Sequence, residues 1–271
     1  MGGRRGRWIV VRGGALGDFV VTVPAIQEAR ARAERLTLVA NPRFAAPWPE
    51  LYDEVVDIRG RDALWLFGDL PAPFVPDAAL VYTPGVAERL RALGVPEILT
   101  AAPAPTRRAH EHFFEPFGGE APPPRVVPDP TLDFPRTIVL APGAGSPAKV
   151  WPGFDALGRE LTARNLPWRF LVGPDDPTRP DAWSGLSLRE VAALAARSTV
   201  WVGNDSGTTH LAAAAGTRVM ALFGPTDPAL WAPPGAVILG FAAAPADVAE
   251  TIARVAGIAD IRLPHSKKGT A

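Results

Sequence analysis

Residue types able to do chemistry concentrate between Val200 and Pro228, where an apolar, β-branched run meets an Ala-rich segment through Asp205-Ser206-Gly207-Thr208-Thr209-His210. A carboxylate, three small hydroxyl side chains, a glycine and a histidine at a strand-to-helix junction suit the binding of phosphate. Asp205 or Ser206 is a good helix N-cap. The N–H groups after Gly207 then point outward at the positive end of the helix dipole, which attracts a diphosphate without a metal. His210, one turn in, shares a helix face with Ser206. The plain alternative is a capped helix packed on a strand. Two more glycine-rich stretches stand out. Gly13-Gly14-Ala15-Leu16-Gly17 runs into Asp18, and Gly143-Ala144-Gly145-Ser146-Pro147-Ala148-Lys149 sets an ammonium among backbone amides.

Composition narrows the partners. A chain of 271 residues, 47% hydrophobic and 21% charged, fits a globular protein, and two domains of about 100–200 residues each are expected. Lys plus Arg equals Asp plus Glu at 28 each, so there is no overall field to attract nucleic acid. Cysteine is absent, which excludes disulfides, thiolate metal sites and thiol catalysis. The four histidines are not spaced as a metal cluster. No Asp-x-Asp sequence occurs, so a carboxylate pair that could hold a divalent ion on a diphosphate is missing, and no metal or other cofactor is expected. The apolar run Trp8 to Val11 is too short for a secretory signal, and no segment approaches the roughly 18–20 apolar residues of a membrane span. The expectation is a cytoplasmic protein, with peripheral contact at the inner face of a membrane left open.

The elements that must position these residues alternate short apolar runs with longer amphipathic ones, the pattern of an α/β fold with a parallel sheet. Strands are expected at Trp8 to Val11, Leu36 to Ala40, Val55 to Ile58 and Ala79 to Tyr82, with helices at Phe19 to Ala33 and Val86 to Leu93. Pro24 inside the first helix implies a kink or a late start. Pro122 to Pro135 holds six prolines in fourteen positions, a composition that reads as a stiff linker. Domains are therefore placed at 1–125 and 137–271, joined by 126–136. In the second half strands are expected at Ile138 to Leu140, Arg169 to Val172, Val200 to Val202 and Val219 to Phe223. Helices are expected at Phe154 to Ala163, Leu188 to Ala195, Gly207 to Ala215 and Ala246 to Val255. The tail after Leu263 is polar and should fray.

Two α/β halves with glycine-rich loops at strand ends suggest a ligand in the cleft between them. A nicotinamide dehydrogenase fits poorly. The spacing G-G-x-x-G is not G-x-G-x-x-G, and Asn41-Pro42 stands where an acidic ribose ligand belongs. Three segments instead resemble the ADP-heptose lipopolysaccharide heptosyltransferases, glycosyltransferase family 9. They are Val10 to Asp18 with Thr22 to Ile26 behind it, Leu140 to Pro152, and Asp205 to His210 continuing into Phe223 to Pro228. The resemblance implies a GT-B fold, two Rossmann-like domains facing a central cleft. It also implies glycosyl transfer from a nucleotide-diphosphate sugar, ADP-linked heptose by family, to a hydroxyl of a cell-envelope glycan or glycolipid.

Such a transfer needs a base for the acceptor hydroxyl and positive charge for the leaving diphosphate. By resemblance Asp18 is the base, which implies inversion by a single displacement, and a helix cap is its alternative role. Lys149 neutralises the leaving charge in place of a metal, or else is a solvated surface charge. Asp205 contacts the donor sugar, Ser206 and Gly207 bind phosphate through main-chain amides, and His210 completes the pocket. Gly17, Gly145 and Ser146 belong to the donor loops, and Asp175 occupies the place of an acidic ribose ligand. His110 and His112, beside Arg107 and Arg108, either meet a phosphorylated or lipid-linked acceptor or form a solvated helix end. The amino-terminal half is short for the family. Two other readings stay open, a nucleotide-sugar epimerase of the same fold and a non-catalytic sugar-nucleotide-binding protein.

Overall fold

The computed structural model describes residues 6–174 and 176–257. The first half opens with β1 (Arg7–Val11), whose Trp8 to Val11 are all buried, as a strand covered on both faces requires. It feeds α1 (Leu16–Arg32), a helix that continues on both sides of Pro24. The helix survives the lost N–H because Phe19 to Ile26 form a buried run, whose packing outweighs a penalty of about 3 kcal/mol. Then come β2 (Arg35–Ala40), the short α2 (Pro42–Ala45), β3 (Glu54–Asp57), β4 (Ala78–Val81), α3 (Val86–Ala92), β5 (Glu97–Thr100) and α4 (Ala109–Phe114). The sheet order is β3-β2-β1-β4-β5, with every pairing parallel.

The second half repeats the plan. It contains β6 (Ile138–Ala141), α5 (Phe154–Ala163), β7 (Trp168–Phe170), α6 (Leu188–Arg197), β8 (Val200–Asn204), α7 (Gly207–Ala214), β9 (Val219–Phe223), α8 (Pro228–Trp231), β10 (Val237–Gly240) and α9 (Pro245–Ala256). These strands also pair in parallel, in the order β10-β9-β8-β6-β7. In each sheet the winding direction reverses beside the first strand, between β1 and β4 and between β6 and β8. Ligands of doubly wound sheets bind at the carboxyl ends of the strands at such a point. All three glycine-rich stretches lie there.

Sequence reading missed β5 and β10. Both are edge strands with mixed exposure, so neither shows a strong apolar run. The proline-rich segment does form no regular element around Arg125 to Val127, yet it is docked rather than free. The Trp48 indole donates to the Arg125 carbonyl at 2.6 Å, the Val126 N–H donates to Ala214 at 3.0 Å, and Val126 is buried. One apolar core runs through both halves, from Val10 and Leu38 through Phe19, Val23 and Phe113 to Val191, Leu211, Ala212 and Trp201. The tail after Leu263 lies outside the described residues. Among the described residues no helix is long and apolar enough to cross a membrane.

Candidate active site

The two halves meet at the amino ends of α1 and α7. A β-carbon on Gly207 would lie 2.5 Å from Leu16 Cβ and 2.8 Å from the Gly17 nitrogen, so at this point only glycine allows the backbones to approach. Gly17 faces the same seam. A β-carbon there would lie 3.6 Å from His210 Cδ2, an ordinary contact. Asp18 and Ser206 are thus each one residue from the contact point, on opposite halves of the chain.

On the amino-terminal side, Asp18 helps to cap the start of α1 and its side chain stays accessible. Its Oδ2 accepts the Ala15 N–H at 2.9 Å, while the side chain remains 32% exposed. The sequence reading missed Arg12, which supports it. Arg12 is buried, donates through Nε (3.1 Å) and Nη2 (2.9 Å) to the Asp18 carbonyl, and brings Nη2 within 3.6 Å of Asp18 Oδ1. Its guanidinium lies 4.8 Å from the Phe113 ring centroid. Burial pulls the Arg12 pKa below its ordinary value, and the Asp18 charge opposes that.

On the carboxy-terminal side, Asp205 gathers three partners, two from loops and one from α7. Its Oδ2 accepts from Lys149 Nζ and from Thr226 Oγ1, each at 2.7 Å, and His210 Nε2 stands 3.8 Å from its Oδ1. Asp205 is only 8% exposed, whereas Lys149 is 32% exposed and reaches solvent. Burial alone would raise the Asp205 pKa. The nearby His210 imidazole, the hydrogen bonds from Lys149 and Thr226 and the Lys149 charge outweigh it and hold the group at about 2 against an ordinary 3.8. Because the folded value lies below the unfolded one, the stabilisation is complete above pH 3.8 and is lost as pH falls toward 2. Melting curves across that window should show a steep acid loss in the parent and a shallower one in Asp205→Asn; parallel profiles would place the acid transition elsewhere.

Ser206 caps α7 by accepting the Thr209 N–H at 3.4 Å and lies 3.2 Å from the Thr208 hydroxyl. The first-turn amides of α7, which the helix itself cannot satisfy, begin two residues after Asp205, the partner of Lys149. Gly145 and Ser146 stand on the outer part of the loop that carries Lys149, where a β-carbon on Gly145 would meet nothing within 4 Å. Asp175 lies outside the described residues. Its neighbour Asp176 accepts the Gly173 N–H at 2.7 Å and faces Gly143. His110 and His112 do not form a solvated helix end, since both are buried on α4. His112 Nε2 lies 2.9 Å from the Ala102 carbonyl oxygen, and burial holds the His110 pKa below its ordinary value, with Glu111 opposing and Arg108 and His210 reinforcing. Among the described residues no group of three or more His, Asp or Glu side chains is placed to hold a metal ion.

The sequence pattern of glycosyltransferase family 9 (heptosyltransferase) matches residues 129–246, the span that holds Lys149, Asp205, Ser206, His210 and Thr226. That match covers 118 of the 271 residues and lies almost wholly in the second half of the chain. No curated protein matches it in sequence. Solved structures show the same fold. A family 9 glycosyl transferase from Veillonella parvula DSM 2008 is 18% identical with a TM-score of 0.68, covering 99% of this chain and 93% of its own. The E. coli ADP-heptose LPS heptosyltransferase II is 16% identical with a TM-score of 0.69, and E. coli heptosyltransferase WaaC, solved with ADP, is 20% identical with a TM-score of 0.66. Each of these two covers 93% of this chain and 99% of its own. The chain therefore has the two-sheet GT-B architecture, with its amino-terminal half included in the structural match.

Proposed function

We propose that this protein is a family 9 glycosyltransferase that moves a glycosyl group, a heptose by resemblance, from an ADP-linked donor to a hydroxyl of a cell-envelope glycan or glycolipid. The reaction is a single inverting displacement without a metal, carried out in the cytoplasm at the inner face of the membrane. One observation carries the donor side of this reading. At the switch point of the second sheet, Lys149 is held 2.7 Å from the buried Asp205 carboxylate, beside the amino end of α7. That pairs a positioned cation with helix-end amides, which together can take up the charge of a leaving diphosphate. Asp18, one residue across the seam, supplies the base that accepts the acceptor's hydroxyl proton as its oxygen attacks the anomeric carbon. Attack from the face opposite the leaving diphosphate inverts the configuration.

The test is a thermal-shift screen against ADP, UDP, GDP and dTDP, each with and without a divalent metal. A ligand at about 100 times its Kd stabilises the folded state by roughly 2.7 kcal/mol. ADP should raise the melting temperature without metal. In Lys149→Ala the ADP shift should shrink, reflecting a loss of about 1.5–3 kcal/mol for a charged hydrogen bond, while any adenosine shift stays as in the parent. A parent that responds to none of the four nucleotides, or a shift that requires metal, would overturn the reading. Acceptor and stereochemistry are then read from the product formed with the responding donor class.

A further inference from the structure

The loop that carries Lys149 has few internal restraints. Between Pro142 and Trp151 it is rich in glycine and proline, and its regular structure is one short 3-10 turn, Pro147–Lys149. Both ends of this loop converge on one side chain. Asn204, the last residue of β8, is fully buried; its Nδ2 donates to the Pro142 carbonyl at 2.7 Å and its Oδ1 accepts the Trp151 N–H at 3.0 Å. The far end is anchored again by Trp151, which is 2% exposed and whose indole donates to the Phe241 carbonyl at 3.2 Å.

The pair of bonds demands an amide, a donor and an acceptor held in one plane. Aspartate is isosteric but would set a second oxygen against the Pro142 carbonyl, and a buried group left unpaired costs more than the bond it replaces. Asn204 is also the residue immediately before Asp205, to which Lys149 is bonded. One strand end therefore fixes both the base of the lysine's loop and the carboxylate that receives its ammonium. We propose that Asn204 is a positioning residue for Lys149, clamping the Gly143 to Val150 loop so that the ammonium stays at the amino end of α7, where a donor diphosphate binds. The proposal rests on the donor-site reading above.

The test is a double-mutant cycle read by calorimetric titration of ADP and of adenosine into the parent, Asn204→Asp, Lys149→Ala and the double variant. Asn204→Asp should weaken ADP about ten-fold or more, the scale of one charged contact, and leave adenosine within about two-fold. The double variant should bind ADP no worse than Lys149→Ala, because both changes remove the same interaction. Parent-like ADP binding by Asn204→Asp, equal losses for ADP and adenosine, or losses that add in the double variant would each overturn the proposal while leaving a Lys149 effect intact. If Lys149→Ala itself binds ADP like the parent, the donor-site reading falls and takes the proposal with it.

Should Asn204→Asp fail to fold, Asn204→Ser removes both bonds without adding a charge. Hydrogen exchange at the Trp151 amide should then accelerate while the central amides of β8 stay protected. Unchanged exchange at Trp151 would overturn the clamp independently of any ligand.

Discussion

Asp18→Asn is expected to lower transferase turnover by roughly 10²–10⁴-fold, the usual contribution of a positioned general base, while ADP binding stays near the parent's. The change is close to isosteric. Asparagine can still accept the Ala15 N–H through its side-chain oxygen, and the two Arg12 bonds to the residue-18 carbonyl involve only backbone on that side. Helix α1 should therefore keep its start, so the lost activity reports on proton acceptance rather than on folding. Turnover with a suitable donor and acceptor, measured beside nucleotide affinity, separates the two. Retained turnover would leave Asp18 as a helix cap only, and loss of affinity together with turnover would mean that the seam had moved.

The second large effect concerns the seam itself. Gly207→Ala should lower the melting temperature and abolish both donor binding and transfer, whereas Gly17→Ala should behave nearly as the parent. The difference is geometric. A methyl at residue 207 meets Leu16 Cβ at 2.5 Å and the Gly17 nitrogen at 2.8 Å, atoms at or next to the backbone that cannot swing away, so α1 and α7 must separate. A methyl at residue 17 meets His210 and Gly207 at 3.6 Å or more. Overpacking of this kind costs about 1–3 kcal/mol, and each kcal/mol is worth roughly 2–4 °C in a chain of this size. Calorimetry of the two variants decides the matter. Equal melting temperatures would mean that the helix ends are free to part, and that the halves are not joined at the site through this contact.

Much of this arrangement was legible in the chain itself. Trp8 to Val11, Ile138 to Leu140, Val200 to Val202 and Val219 to Phe223 are apolar runs bounded by glycine, proline or charge, and a strand buried on both faces has to look like that. Helices α5, α6 and α9 show amphipathic spacing and lie within two residues of the bounds read from sequence. The phosphate-binding character of Asp205 to His210 followed from local chemistry, because capping and helix-end amides depend on a few consecutive residues.

Local pattern could not show which distant residues meet. The partners of Asp205 are 56 and 21 residues away in sequence, Lys149 and Thr226, and the Thr226 contact went unread although its motif was noticed. The role of Arg12 depends on α1 turning the Asp18 carbonyl onto its guanidinium. Asn204 carried no sequence signal, since its amide matters only where the Pro142 and Trp151 backbone converges on it. His110 and His112 read as exposed because a short polar helix carries no mark of what covers it. The sequence by itself therefore determined the element types, the parallel α/β class and the local anion-binding chemistry, all properties of neighbouring residues. Tertiary structure alone decided that α1 and α7 touch end to end through Gly17 and Gly207, which places the proposed base and the donor loops at one seam. That contact arises from the packing of two sheets' worth of helices into one core, a long-range compromise that no short window of residues encodes.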